Sequence, residues 1–193
     1  MKIKLILEEL VDEAIENQSF IVYHGTPTEI NKFSDDFVGG KDATDQEGPG
    51  IYFTTSYDEA VGYAGGFDAG GYVYSARVSP RLLYDESEEK AIPEDLLIRL
   101  AMMAPDWEDH ASNFSPDPQS GAYKMVASAY EYNDNEKDVL LQVWIEFYRY
   151  STVDFVRNCV KLGIDGIIVN REGGKHIIIY NPSIIEVREK EQV

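Results

Sequence analysis

One segment constrains this chain more than any other: Gly-Pro-Gly-Ile-Tyr-Phe-Thr-Thr-Ser over residues 48–56, running on as Tyr-Asp-Glu-Ala-Val-Gly-Tyr-Ala to Ala64. It reads as a short strand that breaks straight into a helix. Gly48 and Gly50 let the backbone turn, or approach a ligand, with no Cβ in the way. Ile51 and Phe53 alternate with Tyr52, the period of a strand with one buried face. Ser56 followed three residues later by Glu59 is a capping box, so a helix begins there and carries Tyr63 on its second turn. Two tyrosine rings offered by adjacent elements can sandwich a flat, electron-poor heterocycle through offset stacking or cation–π attraction. The same pair also reads as two core aromatics with satisfied hydroxyls, so the surrounding residues have to decide.

Upstream, the apolar run Ile21, Val22, Tyr23 ends in His24-Gly25-Thr26-Pro27. It offers an imidazole, a glycine backbone open to close approach, and a hydroxyl at a turn. A flat primary carboxamide can pair with the N–H and C=O of Gly25 while His24 and Thr26 reach ribose hydroxyls. Near the other end, Lys175-His176-Ile177-Ile178-Ile179-Tyr180-Asn181-Pro182 supplies a polar start, an apolar run and an aromatic stop.

In this order the pieces resemble the diphtheria-toxin and poly(ADP-ribose)-polymerase branch of ADP-ribosyltransferases, which carries a His, a Tyr and a third residue, usually Glu, on three strands. Within that branch the chain is most similar to the bacterial and phage ADP-ribosyltransferase domains of polyvalent proteins. Their His-Gly-Thr, acidic Phe-containing loop, Gly-Ile-Tyr-Phe and helix ending in Tyr-Ala correspond here to residues 23–26, 33–37, 50–53 and 60–64. The resemblance implies an α+β ADP-ribosyltransferase fold, with two packed antiparallel or mixed sheets forming an NAD cleft. Flanking helices and a helical insertion at about 92–150 complete a single domain over 1–193. It implies His24, Tyr52 and His176 as the catalytic set. His24 would hold the adenine-side ribose and Gly25 the nicotinamide amide, with Thr26 beside them. Tyr52 and Tyr63 would stack on the nicotinamide, with Phe53 and Ala60 also lining the NAD site. The eleven-residue gap between the two tyrosines matches the family.

Two departures stand out: His176 occupies the usual Glu position, and Ala60 replaces a hydroxyl residue that many polymerase members carry. In the family, the Glu accepts from the ribose 2′-OH as a ribosyl cation develops. A neutral His176 can accept that bond, whereas a protonated one repels the cation, and an ordinary imidazole pKa near 6.5 allows either form. Glu172, in a glycine loop a few residues upstream, is a candidate substitute carboxylate. The expected activity is mono-ADP-ribosyl transfer from NAD to a macromolecular, most simply protein, acceptor, as in a phage or toxin-like effector. A non-catalytic NAD or ADP-ribose binding module is the alternative, and an RNA 2′-phosphotransferase is a third.

Composition bears on that choice. A formal net charge of −18 favours basic partners and argues against a nucleic-acid substrate, because phosphate contacts need a Lys/Arg footprint. No apolar run has the length of a membrane span and no signal peptide is visible. Cys159 is the one cysteine, in an apolar helix, which fits core packing in a reducing cytoplasm. No metal-ligand spacing occurs: His110 lies among acids at random offsets, and the acidic run 85–89 reads as solvated loop.

The rest of the chain predicts an amphipathic helix at 3–16, a long acidic loop at 28–47 anchored by Phe33 and Phe37, and a strand at 72–78. A helix at 93–104 precedes an irregular stretch at 105–121. Helices follow at 122–131, 136–150 and 151–162, the last with a Ser151–Asp154 capping box and Gly163 as its stop. A turn at 164–166 leads into a buried strand, and a last short strand lies at 184–187.

Overall fold

Among the described residues seven strands share one sheet in the order β4-β5-β6-β2-β1-β3-β7, and every neighbouring pair is antiparallel except β4–β5. The strands are β1 (Phe20–Thr26), β2 (Ile51–Thr54), β3 (Tyr72–Val78), β4 (Leu83–Asp85), β5 (Gly166–Arg171), β6 (Gly174–Ile179) and β7 (Ile185–Gln192). The helices are α1 (Tyr57–Tyr63), α2 (Glu94–Met102), α3 (Trp107–Ala111), α4 (Pro118–Tyr132), α5 (Glu136–Phe147) and α6 (Thr152–Lys161). The computed structural model describes residues 19–34, 48–66, 70–85, 92–132, 136–171 and 174–193. The expected helix at 3–16, most of the loop at 35–47 with Phe37, the acidic residues 86–89 and Glu172 lie outside them.

The expected α+β composition holds among the described residues, but the two packed sheets do not: the described strands form one. Its halves, β4-β5-β6-β2 and β1-β3-β7, meet at a thin seam. β1 and β3 register over seven residue pairs, whereas β1 and β2 register at one, Tyr23↔Thr54. That pair, with a side-chain bond from His24 to β2, keeps the halves joined.

Alternation along the strands sends Val22 and Tyr74 to one face, and Tyr23 and Val73 to the other. The first face meets α2, α4, α5 and α6, whose Leu97, Leu100, Met125, Leu140, Phe147 and Phe155 share a buried cluster with Phe53, Ile177 and Ile179. Each such side chain contributes roughly 1.5–3 kcal/mol by leaving water. The middle block is therefore bound into the main core. Cys159 is buried within it.

Among the described residues, the second face carries α1, through Ala60, Val61 and Ala64 against Val73. Gly25 makes that contact possible. A Cβ there would overlap the Ala60 carbonyl oxygen and stand 2.6 Å from its carbon.

Two local expectations need correction. The stretch at 105–121 is not irregular throughout, since it holds α3 and the start of α4. Asp117 accepts from the Ser120 amide at 2.9 Å ahead of Pro118 in the first turn, a start signal of acid cap and proline. Ser151 does precede α6, but its side chain makes no capping bond. Among the described residues no helix is long and apolar enough to cross a membrane.

Candidate active site

At the seam, the His24 imidazole takes over where the β1–β2 ladder stops. Its Nδ1 lies 2.7 Å from the Tyr52 main-chain oxygen. A carbonyl only accepts, so Nδ1 carries the proton. The ring is boxed by Phe33 at 5.2 Å, Phe53 at 5.6 Å and Tyr74 at 6.5 Å between centroids. Burial among these rings pushes the His24 pKa down, against a smaller upward pull from the Tyr52 bond. The neutral tautomer that results has its lone pair on Nε2. Tyr74 also ties the start of the following loop: its hydroxyl accepts from the Ile30 amide at 2.7 Å and donates to the Ile30 carbonyl at 3.1 Å.

A second group assembles between β2, β6 and α1. Thr54 pairs with His176 across the β2–β6 ladder, placing both on one face. Glu59, on the first turn of α1, reaches down to them. Thr54 Oγ1 donates to Glu59 Oε2, and His176 Nε2 lies 2.7 Å from Glu59 Oε1. Tyr63 follows one turn later, its hydroxyl 3.5 Å from the same Oε1 and its ring 6.4 Å from that of His176. Burial works to raise the Glu59 pKa, but the bonds from Thr54, His176 and Tyr63 outweigh it and hold the carboxyl below its usual range. An ionised carboxylate has no proton to give, so His176 donates from Nε2.

The capping box is thus only half formed. The Glu59 amide bonds Ser56 Oγ at 3.3 Å, while the Ser56 amide turns to Thr54 Oγ1 at 3.0 Å and frees the Glu59 side chain for the site. Sequence reading took Glu59 for a helix cap and gave it no chemistry. The available signal was Thr54 five residues before it on the same strand-to-helix turn.

The remaining predicted residues fall into two classes. Tyr52 lies on the same strand face as Thr54 by alternation, its hydroxyl donating to the Gly48 carbonyl. Tyr63 is the exposed ring, at 56% of its free surface. Gly25 and Thr26 end β1, and the Thr26 hydroxyl accepts from the Thr28 amide at 3.2 Å in a turn. Phe53 and Ala60, which the resemblance assigns to the NAD site, are buried. Phe53 packs under His24, and Ala60 holds α1 against Gly25. His24 is tied to the main chain of Tyr52, and His176 pairs with Thr54 two residues further along β2, with Tyr63 beside His176 through α1.

Asp165 is fully buried and clamps the ends of β4, β5 and β6. Its carboxylate accepts from the Arg81 amide at 2.7 Å, from the Arg81 guanidinium at 3.0 and 3.2 Å, and from Asn181 Nδ2 at 3.0 Å. Among the described residues no group of three or more His, Cys, Asp or Glu could hold a metal ion.

Three comparisons with known proteins bear on this geometry. The family described as ADP-ribosyltransferase in polyvalent proteins matches residues 16–192. No curated protein matches the chain. Among solved structures, one described as the crystal structure of an anti-CRISPR protein is similar at 11% identity and a TM-score of 0.42, over 93% of this chain and 98% of that one.

Proposed function

The chain belongs to the ADP-ribosyltransferase family of polyvalent proteins, and from that premise we propose that it cleaves NAD at the nicotinamide–ribose bond and transfers one ADP-ribosyl group to a protein. The observation that carries this reading is the grouping of an exposed Tyr63 ring, the Glu59 carboxylate and His176 on one side of β2, with His24 at the seam on its other edge.

The residues fit the dinucleotide chemically. An anionic carboxylate beside an exposed phenol suits a flat cationic ring such as oxidised nicotinamide, by charge and by cation–π attraction. Tyr63 and Tyr52 would stack on it, and the Gly25 backbone would take the carboxamide. The lone pair on neutral His24 Nε2 would accept from a ribose hydroxyl, with Thr26 alongside. NAD supplies the ADP-ribosyl group and loses neutral nicotinamide. The protein's own contribution is orientation, together with negative charge fixed where positive charge grows.

Protein is the favoured acceptor because a net charge of −18 attracts basic surfaces and repels nucleic-acid backbones. The alternative of a binding module draws on His176 standing where the family most often has Glu. Both readings face one experiment: incubate the protein with NAD labelled in the adenylate half and with basic protein acceptors, and measure free nicotinamide and label transfer for wild type and His24→Ala. Transfer of a single ADP-ribosyl unit that His24→Ala abolishes is expected. NAD binding with no nicotinamide release would leave the binding module. Transfer indifferent to His24→Ala would remove the assignment altogether.

A further inference from the structure

We infer that the carboxylate facing the reacting ribose in this chain is Glu59, delivered by helix α1, and that His176 is a positioning residue that holds it. This rests on the NAD-cleaving reading above and names which group carries its chemistry.

Geometry assigns the two roles. His176 Nε2 is committed to Glu59 Oε1 at 2.7 Å, so that nitrogen donates and cannot accept from a sugar hydroxyl. Of the two side chains, Glu59 is the more exposed, at 25% against 13% for His176. A carboxylate offers about four acceptor sites. Among the described residues three side-chain donors reach this one: Thr54, His176 and Tyr63. One site is left for a hydroxyl arriving from solvent. That site is on Oε2, because His176 and Tyr63 both reach Oε1 and Thr54 alone reaches Oε2.

The supports are short and stiff. Thr54 is a β-branched residue in a paired strand, and it is itself fixed by the Ser56 amide at 3.0 Å. The carboxylate therefore arrives oriented, with its negative charge in place before reaction, as electrostatic stabilisation of a developing cation requires. A Glu on the strand at position 176 would place its charge there directly. Here the strand supplies an imidazole, and the helix supplies the charge one hydrogen bond further out.

In the step this serves, the bond between ribose C1′ and the nicotinamide ring nitrogen breaks, and its electron pair leaves on neutral nicotinamide. The acceptor's lone pair forms the new bond at C1′, and the acceptor's proton passes to solvent. Glu59 accepts a hydrogen bond from the ribose 2′-OH and opposes the positive charge at C1′ while it lasts. It neither gains nor loses a covalent partner.

The test compares Glu59→Gln, Glu59→Asp and His176→Gln with wild type, by nicotinamide release, by NAD affinity from calorimetry and by NMR titration of the His176 imidazole. Glu59→Gln keeps the shape and removes the charge. It should lower release about 100-fold or more, the usual scale for one electrostatic group in such a site, while NAD affinity changes less than about fivefold. Its His176 pKa should fall, because the anionic partner is gone. Glu59→Asp keeps the charge and should recover part of the release. His176→Gln can still donate an N–H to Glu59 and should retain release within about tenfold. Nicotinamide release by Glu59→Gln at the wild-type rate, or a His176→Gln defect as deep as that of Glu59→Gln, would overturn the assignment and leave NAD cleavage standing. A wild-type protein that releases no nicotinamide would overturn both. Should Glu59→Gln melt well below wild type, the His176→Gln and Glu59→Asp comparison carries the decision.

Discussion

His24 Nδ1 donates to the Tyr52 carbonyl oxygen at 2.7 Å, a side-chain bond that spans the seam where the ladder between their strands ends. One bond fixes three things together: the ring's tautomer, its orientation, and the separation of the two strands. Burial against Phe33, Phe53 and Tyr74 then keeps the imidazole neutral. A histidine whose folded pKa lies below its unfolded value of about 6.5 opposes protonation. The unfolded chain takes up the proton more readily, so this group's contribution to stability is complete above that value. It declines as pH falls from there through the folded pKa. NMR titration should place the His24 midpoint below 6.5, with NAD affinity weakening over the same acidic window as Nε2 loses its lone pair. A midpoint at or above 6.5 would show that the aromatic box does not exclude water.

Gly25→Ala is expected to be among the most damaging small substitutions. Its Cβ would overlap the Ala60 carbonyl and lie 3.0 Å from the Ala64 amide nitrogen. Both are backbone atoms of the helix and its cap, so α1 must lift away as a unit. Overpacking of this kind costs about 3 kcal/mol. Because α1 carries Glu59 and Tyr63, nicotinamide release should fall with it. Urea denaturation and release assays together check this. Unchanged stability would mean that the helix docks more loosely than its buried Ala60 and Ala64 imply.

Much of the scaffold around this candidate site was legible in the sequence because its signals are local. The strand Ile51–Thr54, the helix beginning after Ser56 and the strand ending in His-Gly-Thr each follow from period, capping and glycine placement over a few residues. What escaped is long-range. Glu59 has the spacing of a capping residue, and nothing local says that Thr54 would claim its partner and release it towards a histidine 117 positions away. The resemblance assigns Phe53 to the NAD site, whereas its alternation with Tyr52 marks the buried face that it occupies against His24. The merging of two expected sheets into one likewise hangs on a single registered pair, which no periodicity reports. The Asp117–Pro118 start of α4 was readable by its local chemistry, and the prolines around it obscured it.

Asp165→Asn should destabilise the protein without touching the chemistry directly. The buried carboxylate gathers the Arg81 amide and guanidinium and the Asn181 amide, and burial opposes its charge less than these bonds favour it. An Asn side chain matches one oxygen at best and puts an N–H against donors. The loss should be on the order of 3 kcal/mol, within the range for breaking one side of a buried charged network. Wild-type stability from this group should be complete above the unfolded carboxyl pKa of about 3.9 and fall as pH drops through the lower folded value. Chemical denaturation at pH 7 and pH 3 checks both statements. A variant equal to wild type at pH 7 would mean that Arg81, whose side chain is half exposed, satisfies these groups through water.

Tyr63 separates stacking from hydrogen bonding. Its ring is 56% exposed, so neither Tyr63→Phe nor Tyr63→Ala should alter stability by more than about 0.5 kcal/mol. Its hydroxyl sits at the 3.5 Å limit from a Glu59 oxygen that already has a closer partner in His176 at 2.7 Å. Losing that hydroxyl should therefore leave NAD affinity within about twofold in Tyr63→Phe. Losing the ring removes an aromatic stacking partner worth about 1 kcal/mol, or roughly fivefold in Kd, in Tyr63→Ala. Calorimetric titration with NAD distinguishes the two variants. Equal weakening in both would shift the role of Tyr63 from a platform for the nicotinamide to a donor that helps hold Glu59. No weakening in either would put the ring outside the binding cleft.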